Sequence, residues 1–391
     1  MAVTQGLPTL LVIAFVAAMA PLLVGLSPRL HLPQVVVLLV GGVVLGPHLL
    51  GWGDPVVVEP FVNLGLGFLF LLAGYELDFG ALRAKPGRLA IVGWTVSLAL
   101  AMGVVGALEA TGFVRAFVPV SLALTTTAFG ILLPILRENG ILSRPLGSEV
   151  VAAGAVGELF PIVAIAIFLG SNGEFVGLAS LVVVGIFALL LSYAPRMVRG
   201  RRSEAVILSG ENATTQTTLR WTILLLILLL VVAEAFGLDV VLGAFLAGGV
   251  LRRWAPGDPH QLEAKLDAVG YGFFIPIFFV AAGMSLDLPS VVHSPGRVVV
   301  FFVLMLLVRG VPSLLIYRHA LPLPARFEMT LLAATALPLL VALSQIGLAN
   351  GTMLPENAAA LVGAGMLSVL VFPAIALAID RREDRRNHEE E

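Results

Sequence analysis

Long apolar runs, broken by short polar stretches, repeat along the whole chain. A run of about 18 or more apolar residues can cross a bilayer as a helix. The pattern predicts thirteen such helices, at roughly 7–27, 33–50, 57–76, 88–108, 114–136, 147–170, 174–194, 218–237, 239–252, 269–286, 297–317, 327–347 and 357–379. The ninth is short and the tenth contains Pro276. The N-terminal run lacks the charged region of a secretory leader and reads as the first span. The expected fold class is an all-α polytopic membrane protein of about thirteen transmembrane helices.

The polar stretches alternate in charge. With the loops numbered in order, the odd loops and the C-terminal tail hold 20 of the 23 Lys and Arg residues. The even loops hold only Arg115 and Arg297, and Arg309 lies inside a predicted helix. Cytoplasmic loops carry the excess of basic residues. A multi-pass protein of the plasma (inner) membrane is expected, with its N-terminus outside and its C-terminus cytoplasmic. Residues 195–220 read as a cytoplasmic linker joining two halves, and 380–391 as a charged cytoplasmic tail.

Composition agrees with this. Hydrophobic residues make up 59% of the 391 and charged residues 12%, about half the usual charged share. A single soluble core cannot absorb that much apolar sequence. The net charge of −2 offers no footprint for nucleic acid. The chain has no cysteine, which excludes disulfides and thiolate metal sites.

The segment Thr127-Ala128-Phe129-Gly130-Ile131-Leu132 resembles Thr335-Ala336-Leu337-Pro338-Leu339-Leu340, 208 residues further on. A six-residue match alone is also what chance produces between apolar segments. The same offset, however, carries the fourth, fifth and sixth predicted helices onto the eleventh, twelfth and thirteenth. The two triplets, 88–170 and 297–379, stand seven helices apart, so their membrane orientations are opposite. That is the inverted-topology repeat of secondary transporters. Both matched segments also look interrupted. One holds Thr125, Thr126, Thr127, Gly130 and Pro134, the other Thr335, Pro338, Ser344, Gln345 and Gly347. Proline removes a backbone donor, and unwound backbone survives at membrane depth only where it is buried or lines a cavity. Two crossing broken helices at corresponding places point to a binding site, although either alone could be an ordinary kinked helix.

A charge at mid-bilayer costs at least about 2.5–3.5 kcal/mol, so intramembrane ionisable groups are candidates for function. Glu158 lies near the centre of the sixth helix, with Gly154 and Gly157 beside it and Pro161 three residues on. A desolvated carboxylate is a common device for proton exchange near neutrality. Arg309, in the eleventh helix, stays protonated and could serve as counter-charge to Glu158. Glu76 and Glu234 sit near helix ends and are secondary candidates, better read as structural. Asp78, Asp239 and Asp287 lie at helix ends. All six histidines fall in loops, at loop edges or in the tail. The sixth helix has no Ser or His near Glu158, which argues against an intramembrane hydrolase.

The segments Leu32-Pro33 to Gly46-Pro47, LGFLFLLAGYELD at 66–78, LTTTAFGILLPIL, LGAFLAG at 242–248 and FFIPIFFVAAGMSLD at 273–287 resemble, in order, those of the monovalent cation/proton antiporter superfamily. The branch is that of the Kef-type and bacterial Na+/H+ exchangers. The resemblance implies a homodimer, with 88–170 and 297–379 forming a mobile core bundle and 7–76 and 174–286 mainly dimerisation or scaffold helices. It gives Glu158 the role of ion and proton carrier, with Thr126 and Thr127 as neighbouring oxygen donors and Arg309 as the charge-compensating residue. The family usually carries Asp-Asp, Asn-Asp or Gln-Asp where this chain has Gly157-Glu158. Thr335, Ser344 and Gln345 are secondary candidates beside Gly157.

The expected function is exchange of a monovalent cation, Na+ or K+, bound at Glu158, for H+ by alternating access. One carboxylate releases one proton per cation, so electroneutral exchange is the simpler expectation. No enzymatic activity and no cofactor are implied; no P-loop occurs, and no ligand-gating domain is expected after the last helix. A sodium-coupled solute symporter of similar architecture, a channel and a non-transporting membrane sensor are the alternatives.

Overall fold

The computed structural model describes residues 2–26, 33–77, 83–169, 174–198, 216–254 and 259–390. Much of the expected 195–220 linker, and Asp78, lie outside the described residues. The helices, in chain order, are α1 (Ala2–Leu26), α2 (Gln34–Leu45), α3 (Glu59–Glu76), α4 (Lys85–Ala110), α5 (Phe117–Ala123), α6 (Phe129–Glu138), α7 (Pro145–Phe168), α8 (Glu174–Val198), α9 (Thr217–Ala235) and α10 (Val240–Trp254). They continue with α11 (Pro259–Val269), α12 (Ile275–Met284), α13 (Leu288–His293), α14 (Pro295–Met305), α15 (Val311–Ile316), α16 (Leu323–Ala334), α17 (Pro338–Ala349) and α18 (Pro355–Glu390). Among the described residues there is no strand. The residues expected to form a charged tail continue α18 as helix to Glu390.

Ten of the described spans are long and apolar enough to cross a membrane. The other three predicted spans are not among these ten. The one placed at 33–50 is α2, only 12 residues, which rises about 18 Å against a hydrocarbon core of about 30 Å. The one at 239–252 is α10, 15 residues with Arg252 and Arg253 in its last turn. The one at 114–136 is broken into α5 and α6.

The helices form two compact units. The first consists of Met1–Ala17, Trp52–Leu77 and Ile162–Ala281. Within it α3 lies along α10 with glycines at the contact. A Cβ at Gly74 would collide with the Phe245 carbonyl oxygen, and one at Gly248 with that of Leu71. Gly65 meets the Phe274 carbonyl in the same way, in a π-helical turn at Gly270–Phe274. Small residues let helix backbones approach where the solvent supplies no hydrophobic drive between helices. Phe68 stacks on Phe274 at 4.7 Å beside this contact. The Arg252 guanidinium donates to the carbonyls of Tyr75 and Glu76 at 2.9 and 2.8 Å, closing the C-terminus of α3.

The second unit consists of Ala18–Gly51, Asp78–Pro161 and Ala282–Glu391. Its apolar core draws Trp94 from α4, Leu132 from α6, Val150 and Val156 from α7, Tyr317, and Met329 and Leu332 from α16. Between α14 and α15 the chain makes a π-helical turn, Leu306–Gly310. Such turns often mark functional positions, and this one carries Arg309. A Cβ at Gly310 would stand 2.7 Å from the Thr330 carbonyl oxygen, so this turn lies against the α16 backbone.

Gly248→Val forces a branched side chain between two touching backbones. The substitution is expected to lower the thermal unfolding midpoint of the purified protein in detergent, by an overpacking cost of about 1–3 kcal/mol or more. Gly185→Ala, at a glycine with nothing within 4 Å of its Cβ position, should leave the midpoint unchanged.

Candidate functional site

The site is built where two helices stop at membrane depth. After α5, the hydroxyls of Thr125 and Thr126 donate back to the carbonyls of Leu122 and Ala123, each at 2.8 Å. Threonine hydroxyls compete in this way with the helical ladder, and the chain unwinds until α6 begins at Phe129. After α16, Thr335 turns extended and Pro338, which cannot donate, opens α17. The two breaks supply each other with partners. Ala128 N–H donates to the Thr335 carbonyl at 2.7 Å, and the Thr127 hydroxyl donates to the Ala333 carbonyl at 2.7 Å. Thr127 N–H donates to the Gly157 carbonyl of α7 at 3.1 Å. Ser368 of α18 completes the second break: its hydroxyl accepts from Ala336 N–H at 3.1 Å and lies 2.9 Å from the Ala336 carbonyl.

Arg309 enters this crossing from the π-helical turn. Its side chain is buried, where an uncompensated charge is costly. Its Nε donates to Thr127 Oγ1 at 3.0 Å and its Nη2 to the Ala153 carbonyl at 2.9 Å. Both acceptors are neutral oxygens. The Thr127 hydroxyl is thereby committed twice, as donor to Ala333 and acceptor from Arg309. The Thr126 hydroxyl is held only by its own helix and keeps accepting capacity.

Gly157 is what makes the arrangement fit. A Cβ there would stand 2.6 Å from Thr127 Oγ1 and 2.8 Å from Arg309 Nη2. The guanidinium and the threonine occupy the space a side chain at 157 would take. Gly154, one turn earlier, similarly admits the Phe129 ring, 2.7 Å from its Cβ position. Glu158 follows directly on α7 and is 4% exposed. A buried carboxylate thus follows, on α7, the glycine against which Arg309 and Thr127 are packed.

The structure brings Thr126, Thr127, Gly157, Glu158, Arg309 and Thr335 into one neighbourhood. Ser344, buried, and Gln345, half-buried, line an open recess of about 400 Å³ with Ser285 and Asp287. Glu76 and Glu234 belong to the other unit: Glu76 is half-buried at the end of α3 and Glu234 is exposed on α9. Reasoning from sequence missed Ser368, the Ala153 carbonyl and the π-helical turn. A serine among apolar residues of the last span was the one visible signal; the other two are backbone features that side-chain identities do not announce. Among the described residues no group of three or more His, Cys, Asp or Glu side chains could hold a metal ion.

Residues 12–377 match the family described as sodium/hydrogen exchanger, transmembrane. The chain is 26% identical over 400 residues to the putative Na(+)/H(+) antiporter YjbQ of Bacillus subtilis, covering 96% of this chain and 64% of that protein. It is 29% identical over 318 residues to cation/H(+) antiporter 18 of Arabidopsis thaliana, covering 72% and 37%. It therefore spans less than two thirds of the length of these curated relatives. Its fold matches that of the sodium proton antiporter MjNhaP1 of Methanocaldococcus jannaschii, with a TM-score of 0.66 over 97% of this chain and 98% of that one, at 16% identity.

Gly157→Ala drives a methyl group into the Arg309–Thr127 contact. It is expected to destabilise the protein by about 1–3 kcal/mol, read as a lower unfolding midpoint.

Proposed function

Because the chain belongs to the sodium/hydrogen exchanger family of transmembrane proteins, we propose that it is a secondary active antiporter exchanging a monovalent cation, Na+ or K+, for H+ by alternating access. Glu158 is the carrier. The observation that supports this most directly is its carboxylate, 4% exposed, on a membrane-spanning helix whose neighbouring carbonyl, that of Gly157, is bonded to an unwound segment. The cation-bound and protonated forms of one carboxylate exclude each other, and that exclusion couples the two fluxes. Thr126 is the neighbouring hydroxyl best placed to add an oxygen, since that of Thr127 is already used in both directions.

Arg309 acts as a fixed positive charge beside the carrier. It does not deprotonate, so it compensates Glu158 without carrying the exchanged proton. One titrating carboxylate then supports one proton per cation, an electroneutral exchange. Residues 88–170 and 297–379 act as the transport core. Support comes from the second compact unit, which includes most of both stretches. An inverted repeat is supported by the breaks at Thr127 and Thr335 and by α4 to α7 recurring, at the same offset, as α14 to α18. Thirteen passes follow if α2, the α5–α6 pair and α10 join the ten long spans. The outside N-terminus and cytoplasmic C-terminus rest on the loop charges, and assembly as a homodimer on family resemblance alone.

Reconstituted into proteoliposomes with a pH-sensitive dye, the protein should move protons when Na+ or K+ is added outside, and Glu158→Gln should abolish this. A Glu158→Gln variant that exchanges at the normal rate would overturn the assignment. Arg309→Ala should shift the pH profile of exchange. An imposed membrane potential without an ion gradient should drive no cation uptake; uptake under that condition alone would show the exchange to be electrogenic.

A further inference from the structure

One buried carboxylate in the same helix takes no part in the exchange described above. Glu149 lies in the second turn of α7, 6% exposed, and its Oε2 has no hydrogen-bond partner in the protein. Among the other buried polar atoms that lack protein partners are the Tyr317 hydroxyl and the Trp94 indole nitrogen. Both residues belong to the apolar cluster that contains Val150 and Ala153 of α7. Nearly all buried polar atoms in folded proteins are paired, with protein or with ordered water. Two such atoms in one apolar cluster, with the Glu149 carboxylate on a helix that contributes to it, are polar partners of the kind a buried water takes.

The cluster leads toward the carrier along two lines. The Trp94 ring meets Phe160, two residues beyond Glu158, edge-on at 5.1 Å. Tyr317 lies within the electrostatic reach of both Glu149 and Arg309, and Arg309 touches Gly157, the residue before Glu158. Glu149 itself lies in the field of Lys85, the first residue of α4. Other charged groups of the unit include Arg144, paired with Asp380, Arg326 of α16, which donates to the Leu314 carbonyl through one nitrogen while its Nε has no protein partner, and Glu328 of α16, 2% exposed. Nine residues separate Glu149 from Glu158, a rise of about 13 Å along the helix. That is too far for one proton transfer and short enough for a hydrated relay.

We propose that Glu149 is a second proton-accepting site, which takes protons from the membrane face at which α7 begins and passes them to Glu158 through water held by the Tyr317 hydroxyl and the Trp94 indole. In each turnover Glu149 gains one proton from that face and gives one up as the cation leaves Glu158. Glu149 ends as it began, and the net exchange stays one proton per cation. The proposal rests on the antiport reading, in which Glu158 is the carrier.

The test uses the full chain in proteoliposomes and, separately, infrared spectroscopy of the purified protein across pH. Glu149→Gln should retain exchange but move its pH profile to lower pH, by on the order of one unit, because a poorer proton donor is offset only by more protons. A carboxyl band that titrates in the wild type should be missing in Glu149→Gln and present in Glu158→Gln. Glu149→Asp should restore part of the profile, which a merely structural role would not do. Should Glu149→Gln fail to fold, Tyr317→Phe carries the test, with the same direction of shift expected. An unshifted profile in a folded Glu149→Gln or Tyr317→Phe variant, with the titrating band intact in Glu149→Gln, overturns the relay. Undiminished exchange in Glu158→Gln would instead overturn the antiport reading beneath it.

Discussion

Backbone that leaves a helix at membrane depth must find its hydrogen bonds inside the protein, since lipid offers none. In this chain that constraint is met at one place, where the break after α5 meets the break after α16. Ala128 N–H reaches the Thr335 carbonyl and the Thr127 hydroxyl reaches that of Ala333. Each interruption supplies acceptors or donors the other lacks. Neither could stand alone in hydrocarbon, so the crossing is a joint solution. The approach of α7, the burial of Arg309 and the position of Glu158 all depend on it.

The charge arrangement follows from the same geometry. A guanidinium held by a threonine hydroxyl and a backbone carbonyl is fixed in place while remaining a full positive charge. Glu158, the residue after Gly157 on α7, is buried as well. In the exchange proposed above, one fixed and one titratable charge make a site whose net charge is the same in its loaded and protonated forms. Moving such a site through a low-dielectric environment costs less than moving a site that gains or loses charge in each half-cycle.

Much of this was legible in the sequence, and the rest fails to show there for definite reasons. The spans followed from length and apolarity, because a bilayer selects on those properties. The breaks followed from three consecutive threonines and from Pro338, whose local chemistry disrupts a helix wherever it occurs. The burial of Glu158 followed from its isolation among apolar residues. Gly157 reads in the sequence as a lost side chain; in the structure it is the cavity that Arg309 and Thr127 fill. That exchange of one residue's volume for another's involves partners 30 and 152 residues away, and no local pattern encodes it. The short α2 was hidden for a related reason: the apolar run continues past Leu45, but Gly46 and Pro47 turn the chain before the helix can extend.

The position of Arg309 in the chain also bears on how the protein is made. An arginine near the centre of a segment opposes its release from the translocon into lipid. The partners that receive its donors, the Thr127 hydroxyl and the Ala153 carbonyl, precede it in the sequence and are already synthesised when α14 and its π-helical turn emerge. The groups that complete the crossing, Ala333 and Thr335, arrive afterwards. The nascent chain therefore meets its most polar intramembrane segment with acceptors already waiting. The charge is fully housed only when those last helices close the crossing.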